Sequence, residues 1–328
     1  MKHRIGFFLA SALCFAALIL SSCGGTPLHK YTYYGMGTYT TVSVEGGAPR
    51  EVASILAQTE GELSHRVSDS VIAKANRGES VSLNEDLVAT LLLCEALWQA
   101  TDGRFDVSVL PLSSLWNFDE APTAAPSASD IASALELVGF GGAVSLEGGV
   151  LSVSLGGLDL GAVGKGLACD RIVAHLNAAE ARGLVSVGGS LGVAGTGRTY
   201  TVGVRDPFSS HTADLIGKLQ LKEGFVSTSG TYEKNFEAEG KTYHHILNAK
   251  SGYPEDNGLV SVTVIATSGV LSDALSTAAF LVGEEGAIDL CREFGASAIV
   301  VKADGTVLVS RELEGSFVHL GKGAVIYQ

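Results

Sequence analysis

Three short stretches of this chain hold side chains whose types and spacing could do chemistry. The first, DLGAVGKGLACD (159–170), sets Lys165 between two glycines where an apolar alternation gives way to a helical pattern. A lysine in a glycine-rich turn into a helix can present its ammonium beside backbone N–H groups, which suits a pyrophosphate. An ordinary surface lysine after a turn has the same local pattern. A nucleotide P-loop is excluded by counting: its first glycine would fall at Asp159, and Gly166 stands where Ser or Thr must hold Mg²⁺. Any metal ligand must therefore come from elsewhere in the chain.

The second stretch is GVLSDALSTAAFLVG, where Asp273 and Thr277 are four apart and share one face of a helix otherwise built from small or apolar residues. A carboxylate and a hydroxyl are hard oxygen ligands for Mg²⁺ or Ca²⁺. Asp273 in a first turn also complements the helix dipole, and a mid-helix Thr often bonds back to its own backbone. The third stretch, KTYHHILNAKSGYP, places His244 and His245 before a turn rich in Asn, Ser, Gly and Pro. A histidine here can act as a general base near neutral pH or simply as a hydrogen-bonding residue. No His-x-x-x-His metal spacing occurs.

The elements that must position these groups form a mixed order. The pattern predicts a strand over 31–46, helices over about 49–65 and 85–101, and a proline-bearing loop at 118–128. Short strands follow at 142–155, then a helix opening near Gly166. Strands are expected at 184–195, 199–205, 215–228 and 259–266, helices at about 270–282 and 284–294, and strands at 297–301 and 306–310. Strands and helices do not alternate regularly and no repeat is present, so the expected class is α+β in a single domain.

Composition narrows the function. Gly at 41, Pro at 7 and 17% charged residues describe a turn-rich globular chain. A formal charge of −13 repels phosphate backbones and argues against nucleic-acid binding. Lys2 and Arg4 precede an apolar run ending at Ser21-Ser22-Cys23, so residues 1–22 read as a signal peptide. The Leu20-Ser21-Ser22-Cys23 quartet is similar to a bacterial lipoprotein signal, with Cys23 the lipid attachment site. An uncleaved membrane anchor is the competing reading. The expected organisation is thus a signal peptide at 1–22, a lipidated tether at 23–30 and a catalytic domain at 31–328. The remaining cysteines, Cys94, Cys169 and Cys291, read as buried small hydrophobes because their number is odd and their spacing unpaired.

The motifs MGTYTTVSV, DGRFDVSVLPLSSLW, DLGAVGKGLACDRI, SVGGSLGVAG, VRDP, STSGTYEKNF, HHILNAKSGYP and VTVIATSGVLSDALSTAAFLVG occur in one order. Together they resemble the ApbE family of FAD:protein FMN transferases over residues 31 to about 310. The resemblance implies bound FAD as substrate, Mg²⁺, and transfer of FMN to a Thr or Ser hydroxyl of a target protein with release of AMP. The target would be a redox-chain or envelope flavoprotein, met outside the cytoplasm. There the lipid anchor holds the enzyme to an inner or outer membrane facing the periplasm, or to the outer face of a single membrane. By the same resemblance Mg²⁺ is held by the Ala162 carbonyl, Asp273 and Thr277. FAD contacts fall on Met36, Arg104, Phe105, Asp106, Asp159, Lys165 and the backbone near Ile246. His245 matches the family histidine and is the candidate base, and Lys165 acts on the phosphates.

Two positions depart from the family pattern. Asn248 is followed by Ala249 where proline is usual, which predicts a looser loop around His245. Arg66 stands near the site of a common aromatic residue and receives no role. Hydrolysis of FAD to FMN and AMP would use the same ligands. A flavin-binding lipoprotein without catalysis is disfavoured, since a passive binder gains little from metal ligands at the scissile bond.

Overall fold

The computed structural model describes residues 26–120 and 122–328, so the signal segment 1–22 and Cys23 lie outside the described residues. The fold is α+β, built on a nine-stranded sheet. In spatial order its strands are Leu28–Gly35, Thr38–Glu45, Gly183–Val187, Ser190–Ala194, Phe225–Gly230, Leu259–Ala266, Ser297–Lys302, Val307–Val309 and Val325–Tyr327. All neighbours are antiparallel except the last pair. Both faces are covered at the centre, which is why Ser297–Lys302 reads as an unbroken apolar run. Its Ala298 and Val300 join one core cluster and its Ile299 and Val301 another.

On the first face lie the helices Val52–Leu63, Gly164–Ala178 and Gly269–Val282. On the second lies a three-stranded sheet of Tyr200–Arg205, Leu215–Leu221 and Phe317–His319. The strand expected over 31–46 is a hairpin, turned at Met36-Gly37 with φ of 54° and 69°. Positive φ at both central residues gives the turn whose twist matches the paired strands. Its first strand starts at Leu28, opposite Glu45, so the sheet begins inside the expected tether.

Helices Val71–Asn76, Leu110–Trp116 and Ala128–Leu135 were not legible in the sequence, and the last starts where the expected loop at 118–128 ends. Two of these, with the hairpin Asn235–Ala238/Lys241–His244, enclose an aromatic cluster. Trp116 packs on Phe118, Tyr243 and Tyr253 at centroid distances of 5.7, 5.3 and 5.9 Å, and its indole N–H donates to the Gly252 carbonyl at 2.8 Å. This lobe carries Asp119, Lys234 and His245. Cys94, Cys169 and Cys291 are free and buried, and burial pushes the Cys94 and Cys291 thiols up to about 12. Among the described residues no helix is long and apolar enough to cross a membrane.

Candidate active site

The site begins with two glycines. Helices Gly164–Ala178 and Gly269–Val282 meet so closely that a Cβ on Gly166 would lie 2.2 Å from the Gly269 carbonyl oxygen, and one on Gly269 2.3 Å from that of Gly166. The Asp170 carboxylate accepts the Gly269 and Val270 N–H groups at 2.7 and 2.8 Å, docking the start of the second helix on the first. The Ser268 hydroxyl completes the cap by accepting the Leu271 N–H.

This contact redirects one hydrogen bond. The Gly166 N–H donates to Asp273 Oδ2 at 2.9 Å, whereas a regular helix would aim it at the carbonyl of Ala162, four residues back. The next amide, Leu167, keeps its helical bond to Val163. The Ala162 carbonyl is therefore released beside Asp273. Lys165 Nζ stands 3.6 Å from Asp273 Oδ1 and donates to the Gly161 carbonyl at 3.3 Å. One turn beyond Asp273, the Thr277 hydroxyl lies 3.0 Å from that of Ser229, on strand Phe225–Gly230.

Asp159 anchors the approach to the turn. It accepts the Gly161 N–H at 3.0 Å and the Ser113 hydroxyl at 2.7 Å, with His65 Nδ1 at 3.8 Å. Met36 at the hairpin tip gives its N–H to Glu60, and its Cε lies 3.6 Å from where a Cβ on Gly164 would be. The loop bearing residues 104–106 is tied to both neighbours: Asp159 donates to Val107 and Ala249 to Arg104. Arg104 is exposed, but Phe105 is a core residue. Asp106 is buried and accepts Ser108 N–H, Ser108 O–H and Phe140 N–H. The expected flavin contacts at Phe105 and Asp106 thus cannot come from their side chains, which serve the fold. Ile246 is likewise buried, and its carbonyl already accepts the Glu255 N–H.

The twin histidines separate. His244 is buried with both nitrogens engaged: Nε2 lies 2.8 Å from the Glu255 carbonyl, and Nδ1 accepts the Ile246 N–H at 3.3 Å. His245 donates its backbone N–H to Lys234, while its Nδ1 is buried without a hydrogen-bond partner. Burial first, then the Lys234 and Lys165 cations, hold the His245 imidazole down to about 3. It is neutral. The expected looseness after Asn248 is not found, because Ala249 uses the N–H that a proline lacks, and the Asn248 side chain bonds Glu255 and the Lys250 N–H at 2.6 and 2.9 Å.

Lys165 is held in its charged form by Asp273 first, against burial, with Glu233 and Asp159 adding to the effect. Glu233, absent from the expected set, has an exposed side chain, and its carboxyl is raised by partial loss of hydration, with Lys165 opposing. Its motif, STSGTYEKNF, was visible, but nothing in the local spacing says which polar residue faces Lys165. Arg66 pairs with Asp119, which also takes Lys234 at 2.6 Å. Burial opposes ionisation of Asp119, yet hydrogen bonds from Lys234 and Arg66 prevail and hold its carboxyl at about 2.

The donor set fits Mg²⁺. Among the described residues no group of three or more His, Cys, Asp or Glu could cage a metal. One buried carboxylate, one hydroxyl and one released carbonyl match a cation that takes few protein ligands and completes its shell with water and phosphate oxygens. A groove of about 960 Å³, lined by Val173, Asn177, Arg182 and Phe225, lies at the far end of helix Gly164–Ala178 from Lys165.

A lysine, a carboxylate, a hydroxyl and a freed carbonyl thus meet where two helices cross in an α+β protein. The ApbE family model matches residues 36–300, and the chain belongs to that family. A Klebsiella pneumoniae (strain 342) protein named FAD:protein FMN transferase is 34% identical over 249 residues, covering 74% of this chain and 77% of its own. One of the same name from Escherichia coli (strain K12) is 30% identical, over 91% and 93% of the two chains. Among solved structures, the ApbE protein of Thermotoga maritima superposes with a TM-score of 0.79 at 30% identity, covering 88% of this chain and 99% of its own. The flavinyl transferase ApbE of Pseudomonas stutzeri gives 0.71 at 28% identity, with 86% and 93% covered.

Proposed function

We propose that this protein transfers FMN from FAD to a Ser or Thr hydroxyl of a partner protein, releasing AMP. The observation that carries the reading is the redirected Gly166 N–H, which binds Asp273 beside Lys165 and leaves the Ala162 carbonyl without its helical partner. Relatives named for this reaction support it. Ala162, Asp273 and Thr277 would hold Mg²⁺, which when bound neutralises charge on the pyrophosphate. Lys165 takes the remaining charge on the phosphoryl oxygens, where most phosphoryl-transfer catalysis lies. Asp159 positions the turn through Gly161, and Met36 packs against its far side. The exposed Arg104 side chain is the expected flavin contact left available, since the backbone N–H and carbonyl of both Arg104 and Ile246 are already engaged. His245 offers a neutral nitrogen to accept a hydrogen bond in the site.

Residues 20–23 support export and anchoring through a lipid on Cys23, with the domain outside the cytoplasm. The partner would then be an envelope protein. The test is to incubate the purified protein with FAD, Mg²⁺ and candidate acceptors and to weigh the acceptors by mass spectrometry. Addition of one FMN together with equimolar AMP is the expected result. AMP and free FMN with no labelled acceptor would instead make it a FAD pyrophosphatase.

A further inference from the structure

We propose that Ser229 is a positioning residue of the metal site, fixing the Thr277 hydroxyl so that its lone pairs face the cation. The inference rests on the reading that Asp273 and Thr277 hold Mg²⁺ for FMN transfer. A hydroxyl carries one proton and two lone pairs, so it serves a cation best when its proton is drawn to the other side. In a helix the usual acceptor for that proton is the carbonyl four residues back. Thr59 and Thr90 follow that rule, donating to the Ile55 and Asp86 carbonyls at 2.8 and 2.7 Å. Thr277 does not. Among the described residues, its hydroxyl bonds Ser229 on strand Phe225–Gly230 at 3.0 Å.

The direction of that bond follows from counting protons. Ser229 Oγ also lies 2.8 Å from Ser276 Oγ, and Ser276 Oγ lies 2.8 Å from the Asp273 carbonyl oxygen, which can only accept. Three hydroxyls thus bring three protons to three contacts. One arrangement fills them all: Ser276 donates to Asp273, Ser229 to Ser276, and Thr277 to Ser229. The Thr277 proton then points to the strand, and both lone pairs of its oxygen stay free. Burial agrees with that polarity. Ser276 is fully buried, whereas Thr277 keeps partial exposure, so the end of the relay that must meet a ligand is the end that can be reached. A cation on those lone pairs strengthens the Thr277 O–H as a donor, so metal and relay reinforce each other.

A second hydroxyl pair supplies an internal comparison. Two residues earlier on the same strand, Ser227 Oγ lies 2.9 Å from Ser272 Oγ, which donates to the Gly269 carbonyl at 3.0 Å. Ser227 and Ser272 are buried, and both serine pairs pin the strand to helix Gly269–Val282. Only the Ser229 pair continues to the side chain of a proposed metal ligand. A role in packing alone would make Ser227 and Ser229 equivalent, whereas a positioning role separates them.

In the test, Mg²⁺ is titrated by calorimetry into the FAD-loaded full chain without an acceptor protein. FAD affinity in EDTA and melting temperature are measured alongside. Ser229→Ala should weaken Mg²⁺ binding by roughly 10–100-fold, the range for groups that orient metal ligands, with metal-free FAD affinity unchanged. Ser227→Ala should lower the melting temperature about as much and leave Mg²⁺ affinity at the wild-type value. Because Ser229 acts through Thr277, adding Ser229→Ala to Thr277→Ala should weaken Mg²⁺ binding no further. Wild-type Mg²⁺ affinity in Ser229→Ala, equal affinity losses in the two serine variants, or losses that add in the double variant would each overturn the assignment. If the wild type binds no Mg²⁺, or Thr277→Ala binds it equally well, the ligand reading itself falls and the Ser229 role falls with it.

Discussion

At the scale of single residues, the site divides its labour between one charged contact and several oriented ones. Asp273 is buried, bonded to Gly166 N–H and close to Lys165. Asp273→Ala should therefore reduce FMN transfer on the order of 10²–10³-fold, the scale of losing one preorganised electrostatic group. Mg²⁺ affinity, measured by calorimetry, should fall with it, while FAD binding weakens less. Thr277→Ala should act in the same direction more mildly, since a neutral hydroxyl contributes less. Lys165→Ala should depress transfer to protein and FAD hydrolysis alike, because its charge matters whichever nucleophile attacks. A variant that slowed one product and spared the other would remove Lys165 from the phosphates.

At the scale of elements, two contacts hold the site together. The Gly166–Gly269 crossing leaves no room for a methyl group, with Asp273 Cβ only 2.8 Å from the added atom. Gly166→Ala should cost about 1–3 kcal/mol, typical of overpacking, and should cut transfer because the helices must part where the ligands lie. Thermal melts and transfer assays on the same preparation check both. The second contact is the Asp119 pair with Arg66 and Lys234, which ties the aromatic lobe to the turn carrying Glu233. The Asp119 carboxyl is lowered from 3.8 to about 2, so its contribution is present above 3.8 and lost as pH falls toward about 2. Partly exposed pairs contribute only about 0.2–1 kcal/mol each. Asp119→Asn at neutral pH should accordingly speed hydrogen exchange at the His245 amide a few-fold without unfolding the chain. Unchanged exchange would mean the aromatic packing alone holds the turn.

At the scale of the whole molecule, the catalytic domain starts at Leu28, five residues after the proposed anchor, so a lipidated Cys23 would keep the protein close to the membrane surface. Cys23→Ala should shift the protein from membrane to soluble fractions or leave it unprocessed, with transfer activity intact. Wild-type fractionation and migration would refute the lipid anchor.

The amino-acid sequence alone determined the larger elements, because helices and buried strands leave periodic apolar patterns that depend on residues a few positions apart. It also marked Lys165, Asp273 and Thr277, whose glycine-rich and small-residue surroundings are themselves local. The short helices Leu110–Trp116 and Ala128–Leu135 and the 235–244 hairpin carried too little periodicity and form through the aromatic core around Trp116. Tertiary structure decided the rest. His244 and His245 are adjacent in sequence, yet one is saturated by Glu255 and Ile246 while the other has a free nitrogen. Phe105 and Asp106 turned inward to the fold, and Asp273 was brought to Lys165 from 108 positions along the chain. Which polar group is satisfied and which is left for a substrate depends on partners distant in sequence, and only the folded chain brings them into contact.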